Sequence, residues 1–575
     1  MRNADIARVF QDVADLLELK GENPFKIRAY QKAARTIDYL PREIETYLEE
    51  GGDLKAIPGV GDAIARKITE LVTTGHLKYY EELRQEFPEG ISELLTVPGV
   101  GPKTARRLAS ELGISSVEEL EQAIAGGRVA GLSRMGEKAA GNIAHHLQAL
   151  RRKDQRTPIG DALPVVDEVL AALGGMPGVR GLTPAGSLRR FRETIGDIDI
   201  MGTADDPERV LNAFVRLPQV TEVLAHGSTK ASVITSGGLQ VDLRLVEHGQ
   251  FGSLLQYFTG SKQHNINLRE RARRQGLKLS EYGIARVDTG DMELCPTEED
   301  FYDRLGLQYI PPELREGGDE IEAAARGEIP TLVREVDIKG DLHVHSEWSD
   351  GRSSIEEMAR AAREWGYEYI ALTDHSSGRG IAHGLTPERL AEQLEEIEAL
   401  NRRLDGFRVL SGTEVDIRAD GSLDFPDELL SRLDVVVAAV HSAMNQDREK
   451  MTRRVLRVLE NPHVDILAHP SCRLLSTREP VDIDMEAVLK AAAVHGKAVE
   501  VNANPARMDL KDTHAFLARE VGLKLVISTD AHDPSHLGFV RYGVGVARRA
   551  WCRAGDILNT RPAADVLASL GNGRG

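Results

Sequence analysis

Cysteine is scarce in this chain. Its 575 residues include three, Cys295, Cys472 and Cys552, too few and too scattered for a disulfide framework or a CxxC zinc site. Any metal must therefore be held by His, Asp and Glu. No apolar run approaches the length needed to span a bilayer. Met1-Arg2-Asn3-Ala4-Asp5-Ile6 leads straight into an amphipathic pattern rather than a secretory leader, so a cytoplasmic protein without a membrane partner is expected. Net positive charge is missing as well: the formal charge is −18, which by itself argues against a partner bound through phosphate neutralisation. Distribution outweighs the sum. Between Lys262 and Lys278, Arg269, Arg271, Arg273 and Arg274 stand against Glu270 alone, a local basic stripe in an acidic chain.

At roughly 150 residues per domain the length suggests about four units. The stretch densest in chemistry is 186–200. Asp197 and Asp199 are one residue apart on an expected strand and so project to one face. The alternating stretch 238–246 adds Asp242 from what would be a neighbouring strand. Three convergent carboxylates match two-metal phosphoryl transfer with Mg2+ or Mn2+. Ahead of them, Gly186-Ser187 offers a small turn with a hydroxyl and backbone N–H groups for phosphate oxygens, and Arg189 and Arg190 follow as cations. Asp-Ile-Asp alone would be an ordinary acidic strand end; Gly186-Ser187 upstream and Asp242 downstream favour a site.

These residues resemble the nucleotidyltransferase superfamily. Tyr257-Phe258-Thr259-Gly260-Ser261, followed by Asn265 and Arg269, is similar to the nucleotide-selection motif of family X DNA polymerases. The resemblance implies that Tyr257, Phe258 and Gly260 lie against the sugar and exclude a 2′-hydroxyl, that Asn265 reaches the incoming base, and that Arg269 touches the template strand. Ser187 and Arg190 fall on the triphosphate positions, with Gly186 and Gly196 beside them. Gln240 departs from the vertebrate pattern, which has an arginine near the primer terminus. Lys262 is a cation inside the motif and is expected to contact the nucleotide.

From residue 3 to about 83 the apolar residues recur at helical spacing (Ile6, Val9, Phe10, Val13, Leu16, Leu17). Ile57-Pro58-Gly59-Val60-Gly61 returns as Val97-Pro98-Gly99-Val100-Gly101, followed by Lys103. Each copy resembles a helix-hairpin-helix, whose glycines let a phosphate approach N–H groups at a helix start without reading sequence. A degenerate third copy at 132–136 reads better as a simple turn. The first 83 residues also resemble the N-terminal domain of family X polymerases. By that resemblance Lys26, Tyr30 and Lys55 grip a 5′-phosphate, and Lys67 sits at the Schiff-base position of a deoxyribose phosphate lyase, although Ala63 replaces a family lysine.

Residues 311–320 are rich in Pro, Gly and charge and are expected to open a linker. After it come short β-branched runs at 339–344, 369–373, 407–412, 434–440, 464–468, 498–501 and 523–528, alternating with helical patterns. That order implies a parallel sheet closed or nearly closed into a barrel, with chemistry at the C-terminal strand ends. At or just after those ends stand His343, His345, Asp350, His375, Glu414, His441, His469, Asp530 and His532. They exceed what one ion needs, so two or three are expected, with zinc, manganese or iron favoured. The pattern resembles the polymerase and histidinol phosphatase (PHP) family, which implies that these residues ligate a trinuclear cluster. His383 reads as a surface-loop histidine rather than a substrate contact.

The expected fold is a multidomain α+β chain: helical helix-hairpin-helix domains at 1–85 and 86–153, a nucleotidyltransferase palm with a mixed sheet at 154–242, and a nucleotide-selection domain at 243–315. A linker at 316–336 and a distorted (β/α)7 barrel at 337–575 complete it. The expected function is template-directed gap filling in base excision repair, with a 3′–5′ exonuclease or 3′-end processing activity in the barrel. Its partners would be gapped or primed DNA and deoxynucleoside triphosphates, acting on a monomer. The alternative makes the barrel a small-molecule phosphatase or a metal-stabilised scaffold.

Overall fold

A computed structural model of the protein describes residues 3–570 apart from 39, 41–42, 58, 89, 98–99, 130, 133–135, 137–140, 142, 144–146, 148–155 and 379–381. It divides into two compact units, 1–156 and 157–575.

The first unit is helical. Asn3–Lys20, Pro24–Asp38, Asp62–Thr74, Lys78–Gln85, Pro102–Leu112 and Val117–Ala125 are its longer helices among the described residues. Their apolar stripes meet in one core that runs from Ile6, Phe10 and Leu17 through Ile68 to Leu108 and Leu120. The described parts of the two hairpin copies share a hydrogen bond and a helix cap. Val60 N–H donates to Ile57 O at 3.0 Å and Val100 N–H to Val97 O at 2.9 Å. Gly61 (φ −88°, ψ 175°) and Gly101 (φ −82°, ψ 172°) are then the N-caps of the helices that follow. Gly59 has φ +89°, where a side chain would be strained; Gly99 lies outside the described residues, as do parts of the 132–136 turn.

The second unit begins with a five-stranded mixed sheet in the order Val179–Pro184, Ile198–Ala204, Gln240–Val246, Lys230–Thr235, Val220–His226. Alternation along Gln240–Val246 sends Val241, Leu243 and Leu245 into the core and leaves Gln240, Asp242 and Arg244 on the other face. Helices Ile159–Gly174 and Pro207–Phe214 contribute to that core. Next come helices Phe251–Thr259 and Lys262–Arg274 and a three-stranded antiparallel sheet.

Seven parallel strands follow in sequential order: Gly340–Val344, Tyr369–Leu372, Arg408–Asp416, Val435–Ala439, Ile466–Leu467, Ala498–Asn502 and Leu525–Ser528. A bridge between Val344 and Ala531 nearly closes them into a barrel. Both faces of these strands are buried, which is why they read as β-branched runs without alternation. The barrel and the five-stranded sheet share one apolar core.

Residues 316–336 are not a loose connection. Ile321, Ala323, Ala324, Ile329 and Leu332 pack in the core with residues of helix Glu298–Arg304, and two glutamates of the segment have partners. Glu320 is buried against His264 at 2.6 Å, and Glu316 is paired with Arg190 and Arg549. Composition does not distinguish a solvated charge from one that a partner allows to be buried. No described helix is long and apolar enough to cross a membrane.

Candidate active sites

Asp199 and Asp242 are register partners on neighbouring parallel strands, so the two carboxylates leave the sheet side by side. Asp197 stands just before the first of these strands. Burial, then the charges of Asp197 and Asp242, push the Asp199 carboxyl up to about 7. Lys230 Nζ lies 2.6 Å from Asp242 Oδ2, and Gln240 Nε2 donates to Asp242 Oδ1 at 3.0 Å. Gln240, the departure from the vertebrate pattern, thus orients a carboxylate. Gly186 has φ +62°, and a Cβ there would sit 3.1 Å from Asp199 Oδ2, so the turn carrying Ser187 comes right up to the carboxylates. Gly196 falls on the short run between that turn and Asp197.

The two arginines after Ser187 each bond a glutamate and Thr259. Arg189 grips Glu298 with both terminal nitrogens, at 2.9 and 2.7 Å, and donates to Thr259 Oγ1 at 2.7 Å. Arg190 donates through Nη1 to Thr259 O at 2.6 Å and through Nε to Glu316 at 3.2 Å. Both therefore tie the 186–190 turn to the Tyr257-Phe258-Thr259-Gly260 motif at the end of helix Phe251–Thr259.

Within that motif Tyr257 and Phe258 pack edge to face at 5.2 Å. The guanidinium of Arg269 lies over Tyr257 at 5.4 Å and that of Arg244 over Phe258 at 4.8 Å. Asn265 Nδ2 donates to Tyr257 O at 2.8 Å, and Gln256 Nε2 holds Asn265 Oδ1 at 2.8 Å. The structure thus gathers Phe258, Asn265 and Arg269 around Tyr257. Lys262 is exposed as the first residue of its helix, next to Gly260.

In the first unit, Lys26 and Lys67 converge on one ring. Their Nζ atoms lie 5.5 and 4.8 Å from the centroid of Tyr79, which also stacks on Tyr30. Burial, then Arg66, pushes the Lys67 ammonium below its ordinary value. Tyr30 is buried and contributes its ring to the core. Lys55 pairs with Asp62 at 2.8 Å, at the start of the helix that Gly61 caps. Lys103 is the second residue of the helix capped by Gly101.

All nine barrel residues meet at the strand ends. Three groups have ligand atoms within 4.8 Å of one another: His345, Asp350, His375 and His532; His343, His345 and Asp530; His375, Glu414 and His441. His469 joins through Nε2, 2.9 Å from Glu414 Oε1. Shared members make one continuous cluster with Glu414 at its hub. The His343 Nε2 and both ring nitrogens of His345 are buried without a hydrogen-bond partner, which a cation would satisfy. Burial, then His532, pushes His345 down to about 3, so it stands neutral as a ligand should. Burial would raise the Glu414 carboxyl, yet His441, His375 and His343 hold it well below the usual range. Donor types, orphaned nitrogens and buried carboxylates all fit divalent cations. His383 is exposed on a loop.

The palm carboxylates are not packed to the same closeness: among the described residues, groups meeting that 4.8 Å limit are all in the barrel. A cation held by one or two carboxylates and completed by substrate phosphates needs no tighter cage.

Residues that the sequence analysis did not single out orient these ligands. Glu500 Oε1 is 2.7 Å from His343 Nδ1, and Glu500 Oε2 accepts the His469 N–H at 2.8 Å. Asp416 Oδ1 is 2.5 Å from His441 Nδ1. Arg507 Nε is 3.3 Å from Asp530 Oδ2 and supplies a cation at the rim. Asp416 follows Glu414 by two on the same strand, a spacing that could have drawn attention to it; Arg507 had no comparable signal.

Four sequence families match the chain: a helix-hairpin-helix domain over residues 1–77, a SAM-like helix-hairpin-helix tandem over 91–149, the DNA polymerase beta thumb over 254–316, and the PHP domain over 341–504. The DNA polymerase/3′-5′ exonuclease PolX of Bacillus subtilis is 41% identical over 572 residues, covering 99% of each chain. DNA polymerase lambda of Rattus norvegicus is 25% identical over 346 residues, 55% of this chain and 56% of its own. A protein described as a probable phosphatase from Acetivibrio thermocellus is 33% identical over 207 residues, 34% of this chain and 81% of its own.

Proposed function

This chain belongs to the family X DNA polymerases and carries a C-terminal PHP domain, and from that premise we propose that it fills short gaps in DNA during base excision repair while its barrel resects or unblocks 3′ ends as a 3′–5′ exonuclease. The observation that carries this reading is two separate groups of potential metal-ligating side chains in one compact unit, the pair of register partners Asp199 and Asp242 and the Glu414-centred cluster.

In the polymerase site, Asp197, Asp199 and Asp242 hold Mg2+ or Mn2+, and Ser187, Arg190 and the N–H groups near Gly186 and Gly196 bind the triphosphate. Tyr257, Phe258 and Gly260 line the sugar, Asn265 the base, Arg269 the template, and Lys262 adds charge toward the nucleotide. In the barrel, His343, His345, Asp350, His375, Glu414, His441, His469, Asp530 and His532 hold two or three ions of zinc, manganese or iron. Bound divalent ions supply Lewis-acid charge for phosphoryl transfer at both sites. Glu500 and Asp416 orient imidazoles, and Arg507 offers its guanidinium to the phosphodiester. The hairpins at Gly59-Val60-Gly61 and Gly99-Val100-Gly101, with Lys103, hold the DNA backbone. Lys26, Tyr30 and Lys55 surround the 5′-phosphate, and Lys67 is the amine of a lyase step. The protein acts as a cytoplasmic monomer.

The test is a paired assay on gapped DNA. Asp197→Ala should lose synthesis and keep degradation, and His343→Ala should do the reverse. Joint loss of both activities in a folded variant would refute the division. The probable-phosphatase relative favours a second reading of the barrel, hydrolysis of small phosphate esters; turnover of such esters with an inert 3′-recessed duplex would establish it.

A further inference from the structure

The turn that carries Arg190 is held by the barrel. Arg549, at the end of helix Val540–Arg549, is buried and donates through Nη1 to the backbone carbonyl of Arg190 at 2.7 Å and to Glu316 Oε1 at 2.8 Å. The same Glu316 oxygen accepts from Arg190 Nε at 3.2 Å. Asp512, on the neighbouring barrel helix Asp512–Glu520, takes the other side of the Arg549 guanidinium at 2.8 Å through Nε and so fixes its plane.

A second contact is independent of charge. Phe191, with φ +56°, inserts its ring into the notch left by Gly545 on the same helix; a Cβ at Gly545 would lie 2.0 Å from the ring. Phe191 also packs on Tyr542 at 6.3 Å between ring centroids. On the other side, the Arg315 carbonyl next to Glu316 accepts the Ser261 N–H at 2.9 Å, so the 315–316 backbone reaches the nucleotide-selection motif as well.

We propose that the last long helix of the PHP barrel positions the polymerase's triphosphate-binding turn: Arg549, through Glu316 and the Arg190 carbonyl, and Gly545, through Phe191, set nucleotide affinity. This rests on Arg190 being a triphosphate ligand. Arg549 is a positioning residue, because it acts on substrate only through Arg190. Its presence on the nuclease half ties the two activities in one chain: the polymerase half separated from the barrel keeps its carboxylates and loses the brace on its phosphate grip.

Steady-state addition of one nucleotide to gapped DNA by the full chain tests this. Arg549→Ala and the milder Glu316→Gln should raise the nucleotide KM about tenfold, the scale of one lost charge-assisted hydrogen bond. The change in kcat should stay below about threefold, and affinity for gapped DNA should not move. Arg549→Lys should recover part of the loss. Arg190→Ala separates the two ways of failing. An unchanged nucleotide KM in Arg190→Ala overturns the triphosphate assignment, and this inference with it. A raised KM in Arg190→Ala, with KM unchanged in Glu316→Gln and in folded Arg549→Ala, overturns the inference alone.

Discussion

Glu500 and His343 stand 157 positions apart in the chain and 2.7 Å apart in the barrel, carboxylate oxygen to Nδ1. The contact fixes which nitrogen of His343 faces inward: Nε2 points toward Glu414 and Asp530, at 3.5 and 3.8 Å. Removing such an oriented carboxylate ordinarily costs roughly 10- to 100-fold in metal affinity or activity. Glu500→Gln should therefore lower metal content and 3′-end degradation by that order and leave nucleotide addition intact. Full degradation with a full metal complement would show that Glu500 merely packs.

Glu298 makes a statement about acid stability. Burial pushes its carboxyl up, but the guanidiniums of Arg315 and Arg189 outweigh burial and hold it at about 2. In the unfolded chain it titrates near its ordinary 4.5, so the stabilisation is complete above that pH and drains away as pH falls toward 2. Glu298→Gln should cost about 3 kcal/mol at pH 7, measured by urea unfolding, and progressively less below pH 4.5. A penalty that is the same at pH 7 and pH 3 would contradict the ion-pair account.

Lys67 and Lys26 share the Tyr79 ring but differ as amines. Burial lowers Lys67, whereas a side-chain hydrogen bond with Tyr79 raises Lys26. Borohydride trapping on abasic DNA should label Lys67 first. Its rate should rise with pH and level off below 10.5, the ordinary lysine value. Lys67→Ala should reduce trapping on the order of 100-fold, and Lys26→Ala should mainly weaken 5′-phosphate binding. Undiminished trapping in Lys67→Ala would remove the lyase role.

Much of the architecture was legible because its signals are periodic. Parallel strands buried on both faces must be apolar throughout, so the barrel announces itself as repeated β-branched runs, and chemistry at their C-terminal ends places His343, His375, His441 and Asp530 on one rim. Alternation alone set Asp242 on the face opposite Val241 and Leu243. In the charged segment after Pro312, composition cannot tell a solvated glutamate from one with a buried partner. Glu316 is paired with Arg549, and Glu320 is buried against His264.

The order of residues along the chain determined which side chains could ligate and which faces would be apolar, since both follow from local geometry of period two or 3.6. Only the tertiary structure decided the pairings: Glu500 with His343, Glu298 with Arg189, Arg549 with Glu316 and the Arg190 carbonyl. Ion pairs between buried groups depend on through-space distance and loss of water, and neither leaves a periodic trace in sequence.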